Sequence, residues 1–242
     1  MEVQTAQTLV SRATFESQCR ACAAFLGKTN GRDKLFRLLQ FLARLVRGTS
    51  GSVSVQQTAL HVEMTLSSSR QTFRLFKFLN VLAANMVYRV DHGALVDVIQ
   101  SLADLAIAMW FVLDNMSWLC KAKLFARGDA AQFSRRAGRF WFLNSVLNVV
   151  VKLLMLRQLQ EQAAESRAKA DASQVGEPAR AEMKLVEKQQ RLCMLDLSRS
   201  VLDLPISYSM TQLPKQQFSP SLTGACGVIS SVIGCWQQWP GK

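Results

Sequence analysis

Three places in the chain carry residue types that could do chemistry: Cys19-x-x-Cys22, the tripeptide Gly27-Lys28-Thr29, and the histidines His61 and His92. A tetrahedral zinc site needs four ligands, and the cysteine pair stands alone. Gly-Lys-Thr closes a phosphate-binding loop, but that motif also needs a glycine at position 22, where Cys22 stands, so the cradle of backbone amides is missing. Neither histidine lies in a carboxylate or cysteine pattern that would argue a triad or a metal site, and no carboxylate pair has the local context of general acid and base work. The chain is read as a non-enzyme, with no catalytic residue, no cofactor and no metal.

The remaining chemistry is electrostatic. Arg70, Arg74 and Lys77 follow an i, i+4, i+7 line, opposite a wide face of Phe73, Leu75, Phe76, Phe78, Leu79 and Leu82. An earlier segment repeats the frame Phe-Arg-Leu-x-x-Phe-Leu at 36–42 and 73–79. There Arg37, Gln40, Arg44 and Arg47 share one side, and Leu35, Leu38, Leu39, Leu42, Leu45 and Val46 the other. A basic amphipathic helix of this kind suits an anionic phospholipid surface: each basic side chain attracts headgroups by about 1 kcal/mol, and the apolar face enters the acyl boundary.

Further ionisable residues fall inside apolar stretches. Residues 94–120 are broken by Asp97, Asp104 and Asp114, and residues 139–157 carry Lys152. A lone Asp at mid-bilayer costs about 2.5–3.5 kcal/mol, so these residues are expected to face a bundle interior or a water path. Between Leu222 and Trp239, small residues recur four apart at Gly227 and Ser231 and at Ser230 and Gly234, which lets helix backbones approach closely. That segment is the favoured transmembrane candidate, with helix packing or oligomerisation as the role of its small residues.

Composition agrees with a membrane setting. Hydrophobic residues make up 49% of the 242 and charged ones 19%, with a formal net charge of +12. The anionic partner this implies is a lipid surface and not nucleic acid, because no zinc-finger spacing, RNP-like strand or homeodomain-like helix occurs. Met1-Glu2-Val3-Gln4 shows neither the basic region nor the apolar core of a cleavable signal, so the membrane is expected to be met from the cytosol.

The elements that must position these residues are helices: strand alternation is lacking, and the expected fold is all-α, a bundle of amphipathic helices with membrane-embedded ones. Residues 1–90 read as an amphipathic region facing the cytosol, with a break near Gly27 to Gly31 and a Gly/Ser linker from Gly48 to Ser54. Residues 91–157 read as apolar membrane-associated helices, 158–191 as a mobile linker broken at Val175-Gly176-Glu177-Pro178, and 192–242 as a C-terminal helix, ending near Pro205, and a membrane segment.

Several of these tracts resemble the peroxin-11 family of peroxisomal membrane proteins, which elongate and proliferate the organelle. Gly31-Arg32-Asp33-Lys34-Leu35-Phe36-Arg37 is similar to its N-terminal tract, and Ser69 to Lys77 to its amphipathic segment, with Gln71 in place of a basic residue. Asp114-Asn115-x-x-Trp118 resembles its mid-chain signature, Arg139-Phe140-Trp141 is similar in place, and Gly224 to Ser231 resembles its C-terminal run. Asp203-Leu204-Pro205 departs from the pattern in the position of its proline.

The resemblance implies a protein of the peroxisomal or glycosomal membrane with both termini in the cytosol. It implies self-association into a homo-oligomer, cooperation with the dynamin-related fission machinery, and delivery by the import receptor for peroxisomal membrane proteins. The mechanism expected is shallow insertion of the helix at 66–84, which expands one leaflet and favours positive curvature. The alternative is an oligomeric pore for small metabolites lined by Asp97, Asp104, Asp114 and Lys152.

Overall fold

The computed structural model describes residues 2–87, 93–126, 128–172, 177–213 and 218–240. His92, the divide expected at 90/91 and part of the break expected at 175–178 lie outside the described residues. Among those described, the chain is all-α, with eight helices: α1 (Glu2–Gly27), α2 (Thr29–Thr49), α3 (Val53–Phe73), α4 (Lys77–Val87), α5 (Ala94–Lys121), α6 (Ala130–Ala172), α7 (Glu177–Thr211) and α8 (Pro220–Gln238).

Local chemistry sets several boundaries. Asp129 accepts hydrogen bonds from the backbone N–H groups of Ala131 (2.8 Å) and Gln132 (3.2 Å), which caps α6. Ser219 caps α8 in the same way through the Leu222 N–H (3.2 Å), with Pro220 in the first turn, where its missing N–H costs nothing. Gly93 leads into α5 at φ 94°, a conformation that favours glycine.

Three expectations change. The helix expected over 66–84 is interrupted: α3 stops at Phe73, α4 begins at Lys77, and Phe76 sits between them at φ 58°, in the left-handed region. The stretch 158–191 is helical over 158–172 and again from 177, because its Ala, Gln, Glu, Lys and Arg residues are strong helix formers and α6 and α7 pack on each other. Pro205 lies inside α7, which continues to Thr211 because the turns on either side are held by burial of Asp203, Ile206 and Ser207.

The helices close into a ring. Around it α2 packs on α3, α3 on α5, α5 on α6, α6 on α7, α7 on α8, and α8 back on α2, while α4 leans on α5 and α1 on α2. The α2–α8 seam joins the two ends of the chain, and the small residues of α8 make it possible. A Cβ on Gly227 would fall within the Phe41 ring, and one on Gly224 would overlap the backbone of Leu45. Ser221 Oγ donates to the Gly48 carbonyl at 2.7 Å in the same seam.

Polarity across the ring runs inside out. More polar and charged side chains than apolar ones are buried among the described residues, while large apolar side chains stand outside on α2, α4, α5, α6, α7 and α8. On α2, Arg37 and Gln40 are 5% and 6% exposed against 42% for Leu39 and 45% for Val46; on α5, Asp114 is 6% exposed against 65% for Leu95 and 56% for Leu105. This distribution suits an apolar surrounding medium.

Two helices, α5 and α6, are long and apolar enough to cross a membrane. The 28 residues of α5 extend about 42 Å, more than a hydrocarbon core of about 30 Å. The C-terminal helix favoured from sequence is not one of the two, since Thr223, Ser230, Ser231, Gln237 and Gln238 dilute its apolar content. Between α5 and α6, Asn144 Nδ2 donates to the Ala103 carbonyl (2.8 Å), Ser117 Oγ to that of Ala130 (2.9 Å), and Trp110 stacks on Trp141.

The α2–α8 seam gives a direct test. Gly227→Val is expected to destabilise the purified protein by about 1–3 kcal/mol through overpacking against Phe41, read as a lower thermal midpoint in detergent. Ile229→Val, at an exposed position of the same helix, should leave the midpoint within experimental error.

Candidate functional site

The inward faces of the ring line a partly open polar cavity of about 480 Å³. Its wall includes Lys34, Arg37 and Arg44 from α2, Arg70 from α3, Asp104 and Trp110 from α5, Asn144 and Lys152 from α6, and Asp196, Arg199 and Asp203 from α7. Helix periodicity places them there: Asp33, Arg37, Gln40 and Arg44 recur at spacings of four and three, so a single stripe of α2 faces the interior.

Buried charges in such a setting require partners, and four ion-pair groups supply them. Arg37 donates to Asp203 Oδ1 at 2.5 Å, and Ser230 Oγ from α8 donates to the same oxygen at 2.6 Å. Arg70 donates to Asp33 (2.9 Å) and to Gln40 Oε1 (2.8 Å). Arg74 meets Asp114 at 2.9 Å, and Gln71 Nε2 donates to the other Asp114 oxygen at 2.8 Å. Closer to the end of α2, Arg44 and Arg47 share Glu63 of α3, at 2.6 and 3.0 Å.

Burial works to raise the Asp33 carboxyl, but the charges of Arg70, Arg74 and Lys34 outweigh it and hold the group well below the usual carboxylate range. The same burial draws the Arg70 guanidinium down to about 10, with Asp33 opposing. The guanidiniums also lie over aromatic rings: Arg37 and Arg44 over Phe41 (5.4 and 5.0 Å) and Arg74 over Trp110 (5.1 Å).

This placement reverses the orientation expected for the basic face. Arg37, Arg70 and Arg74 point into the ring, with Arg44 half-buried against Glu63 and Lys77 donating to Asn30 Oδ1 at 2.9 Å. Of the apolar set, Phe76, Leu79 and Leu82 are exposed, while Leu75 and Phe78 are half-buried and Phe73 packs edge-on to Phe36. A helical wheel separates two faces but does not say which is inside, and burial of the carboxylate partners decides it.

The structure brings Asp104 and Lys152 to the cavity wall together, whereas Asp114 is committed to Arg74 and Asp97 lies half-buried near the start of α5. Asp104 accepts from Gln100 (2.9 Å), and Lys152 approaches Asp196 at 3.8 Å. Gly227, Ser230, Ser231 and Gly234 are all buried within the chain: Gly227 packs on Phe41 of α2, Ser230 donates to Asp203 of α7, Ser231 donates to the Gly227 carbonyl (2.6 Å), and Gly234 lies beside the stem of Lys34. Gln71, read from sequence as a lost surface charge, is an interior hydrogen-bonding residue that also accepts from Lys121 (2.9 Å).

The acid partners Asp33, Glu63 and Asp203, together with Lys34 and Arg199, are site residues that sequence reasoning missed. Asp33 and Asp203 lie in tracts singled out for other reasons, and spacing within one helix cannot pair residues 166 apart. Exposed basic residues that could meet headgroups sit elsewhere: Lys123 after α5, and Arg136 and Arg139 in α6, flank the turn between the two apolar helices. Cys19, Cys22 and His61 are exposed, and no group of three His, Cys, Asp or Glu among the described residues could hold a metal.

The sequence is similar to known proteins. The sequence model of the family described as Peroxisomal biogenesis factor 11 (PEX11) matches residues 20–239. Peroxisomal membrane protein 11D of Arabidopsis thaliana is 27% identical over 221 residues, covering 89% of each chain. Peroxisomal membrane protein 11E of the same plant is 28% identical over 223 residues, 90% of each chain, and Peroxisomal membrane protein 11A of Homo sapiens is 23% identical over 233, covering 88% of this chain and 94% of the human one. No solved structure matches.

The Arg37–Asp203 pair can be tested by its asymmetry. Asp203→Asn leaves a buried guanidinium without its counter-charge and is expected to cost about 3–5 kcal/mol, whereas the double change Arg37→Leu with Asp203→Leu recovers most of it. Thermal midpoints of the purified variants in one detergent give the comparison.

Proposed function

This chain belongs to the Peroxisomal biogenesis factor 11 family, as a peroxisomal membrane protein involved in peroxisome proliferation, and from that premise we propose that it remodels the membrane by wedging an apolar surface into its cytosolic leaflet. The family's proteins are structural and biogenesis factors. The observation that carries the reading is the inversion of polarity: charges paired inside the ring, large apolar side chains outside it.

In this reading α5 and α6 cross the bilayer, and Leu39, Leu42 and Val46 of α2 with Phe76, Leu79 and Leu82 around α4 form the wedge. Each large apolar side chain moved into the acyl boundary contributes about 1.5–3 kcal/mol. Headgroup attraction falls to Lys123, Arg136 and Arg139, since Arg37, Arg70 and Arg74 are occupied with interior carboxylates. Self-association would concentrate wedges along a tubule, and the dynamin-related fission machinery and the membrane-protein import receptor are the partners proposed for scission and delivery. The termini are proposed to face the cytosol.

The cavity favours a second reading, a path for small metabolites through the same membrane. Asp104 and Lys152 line it within one chain, so the path would run through each subunit and not between subunits.

Each reading has its experiment. Leu79→Glu with Leu82→Glu changes two exposed residues, so the protein should fold, yet tubulation of reconstituted liposomes should fall to background; tubules of normal number would refute the wedge. For the path, planar bilayers should show currents favouring anions, given the cationic wall, and Lys152→Glu should shift the reversal potential toward cations. Silent bilayers would remove this reading and leave the first untouched.

A further inference from the structure

The carboxylates facing the cavity are already in use. Asp33 serves Arg70, Asp203 serves Arg37, Asp196 lies near Lys152, and Asp104 accepts from Gln100. Three cations on the same wall form no ion pair among the described residues: Lys34 of α2, Lys77 of α4 and Arg199 of α7. Lys77 has only the neutral Asn30 oxygen and the Phe111 ring (5.6 Å), and Arg199 only the neutral Gln237 Oε1 at 2.9 Å. Lys34 has no hydrogen-bond acceptor among the described residues.

These cations repel one another across the cavity. Burial, reinforced by Arg199 and Arg37, pushes the Lys34 ammonium well below its ordinary range, and burial lowers Lys77 and Arg199 in the same direction. Trp110, which lines the same wall, has an indole N–H that is buried with no acceptor among the described residues. A wall rich in donors and short of negative charge is complementary to an anion. Its volume, about 480 Å³, falls in the range of small-molecule sites and has room for a sugar-sized phosphate ester.

We propose that the cavity is a binding site for a phosphate group, held by Lys34, Lys77 and Arg199, whether that group belongs to a soluble ester or to a lipid headgroup. A dianion there neutralises two of the three cations and supplies acceptors for donors that the protein leaves without a charged partner. The site stands whether or not the ring conducts, and whether or not the outer face bends a membrane.

The test uses the full chain in phosphatidylcholine nanodiscs, titrated with inorganic phosphate, glucose 6-phosphate and glucose, following the thermal midpoint and calorimetric heat. Both phosphates are expected to saturate and raise the midpoint, and glucose to do neither. Lys34→Gln and Arg199→Gln should each weaken phosphate binding about tenfold or more, with Lys34→Arg retaining it. The unliganded midpoint of Lys34→Gln should be no lower than that of the parent, which a purely structural lysine would not give. If phosphatidic acid in the nanodisc blocks the titration in the parent protein, the headgroup is the natural source. Absence of saturation with phosphate in the phosphatidylcholine nanodisc, or saturation unchanged in both glutamine variants, would overturn the proposal.

Discussion

Asp203 accepts hydrogen bonds from Arg37 and Ser230 through one oxygen, and so joins α2, α7 and α8 at a single buried point. The cost of isolating a charge from water makes this more than one contact among many. Once Arg37 is inside, a carboxylate must follow it, and once both are inside, the small residues of α8 must let that helix close over them. The pairs Arg70–Asp33 and Arg74–Asp114 extend the same constraint to α3 and α5. The order of helices around the ring follows from matching these charges as much as from matching apolar surface.

An interior of that kind changes what the outer surface can be. With ion pairs and amides filling the centre, the large aliphatic side chains have nowhere to go but outward, and the surface they form is stable only against other apolar matter. Membrane residence is then a condition of this fold and not an addition to it. Interior pairing also divides the basic residues: Arg37, Arg70 and Arg74 are held by buried carboxylates, whereas Lys123, Arg136 and Arg139 near the α5–α6 turn stand exposed.

The helices themselves were largely legible. Gly27 to Gly31 marks the α1–α2 junction, and the apolar run after residue 93 becomes α5, because cap chemistry and periodicity are local signals. The two faces of α2 were also legible, yet their direction was not. Arg37 on a wheel looks the same whether it seeks a phosphate headgroup or Asp203, since the partner is 166 residues away. Phe76 in the left-handed region was hidden for a related reason: a phenylalanine carries no turn signal, and only the fit of Arg74 to Asp114 and Lys77 to Asn30 on either side accounts for a break there. At 158–191 the polar residues are themselves helix formers, and the described parts, 158–172 and 177–191, are helical.

The seam between α2 and α8 has a consequence for timing. Ser221 and Gly48, which meet in this seam, are 173 residues apart in sequence. A chain leaving the ribosome from its N-terminus exposes Arg37 long before Asp203 exists and must expose nearly all of itself before α8 can dock. The seam that closes the ring is therefore among the last contacts the described residues can make.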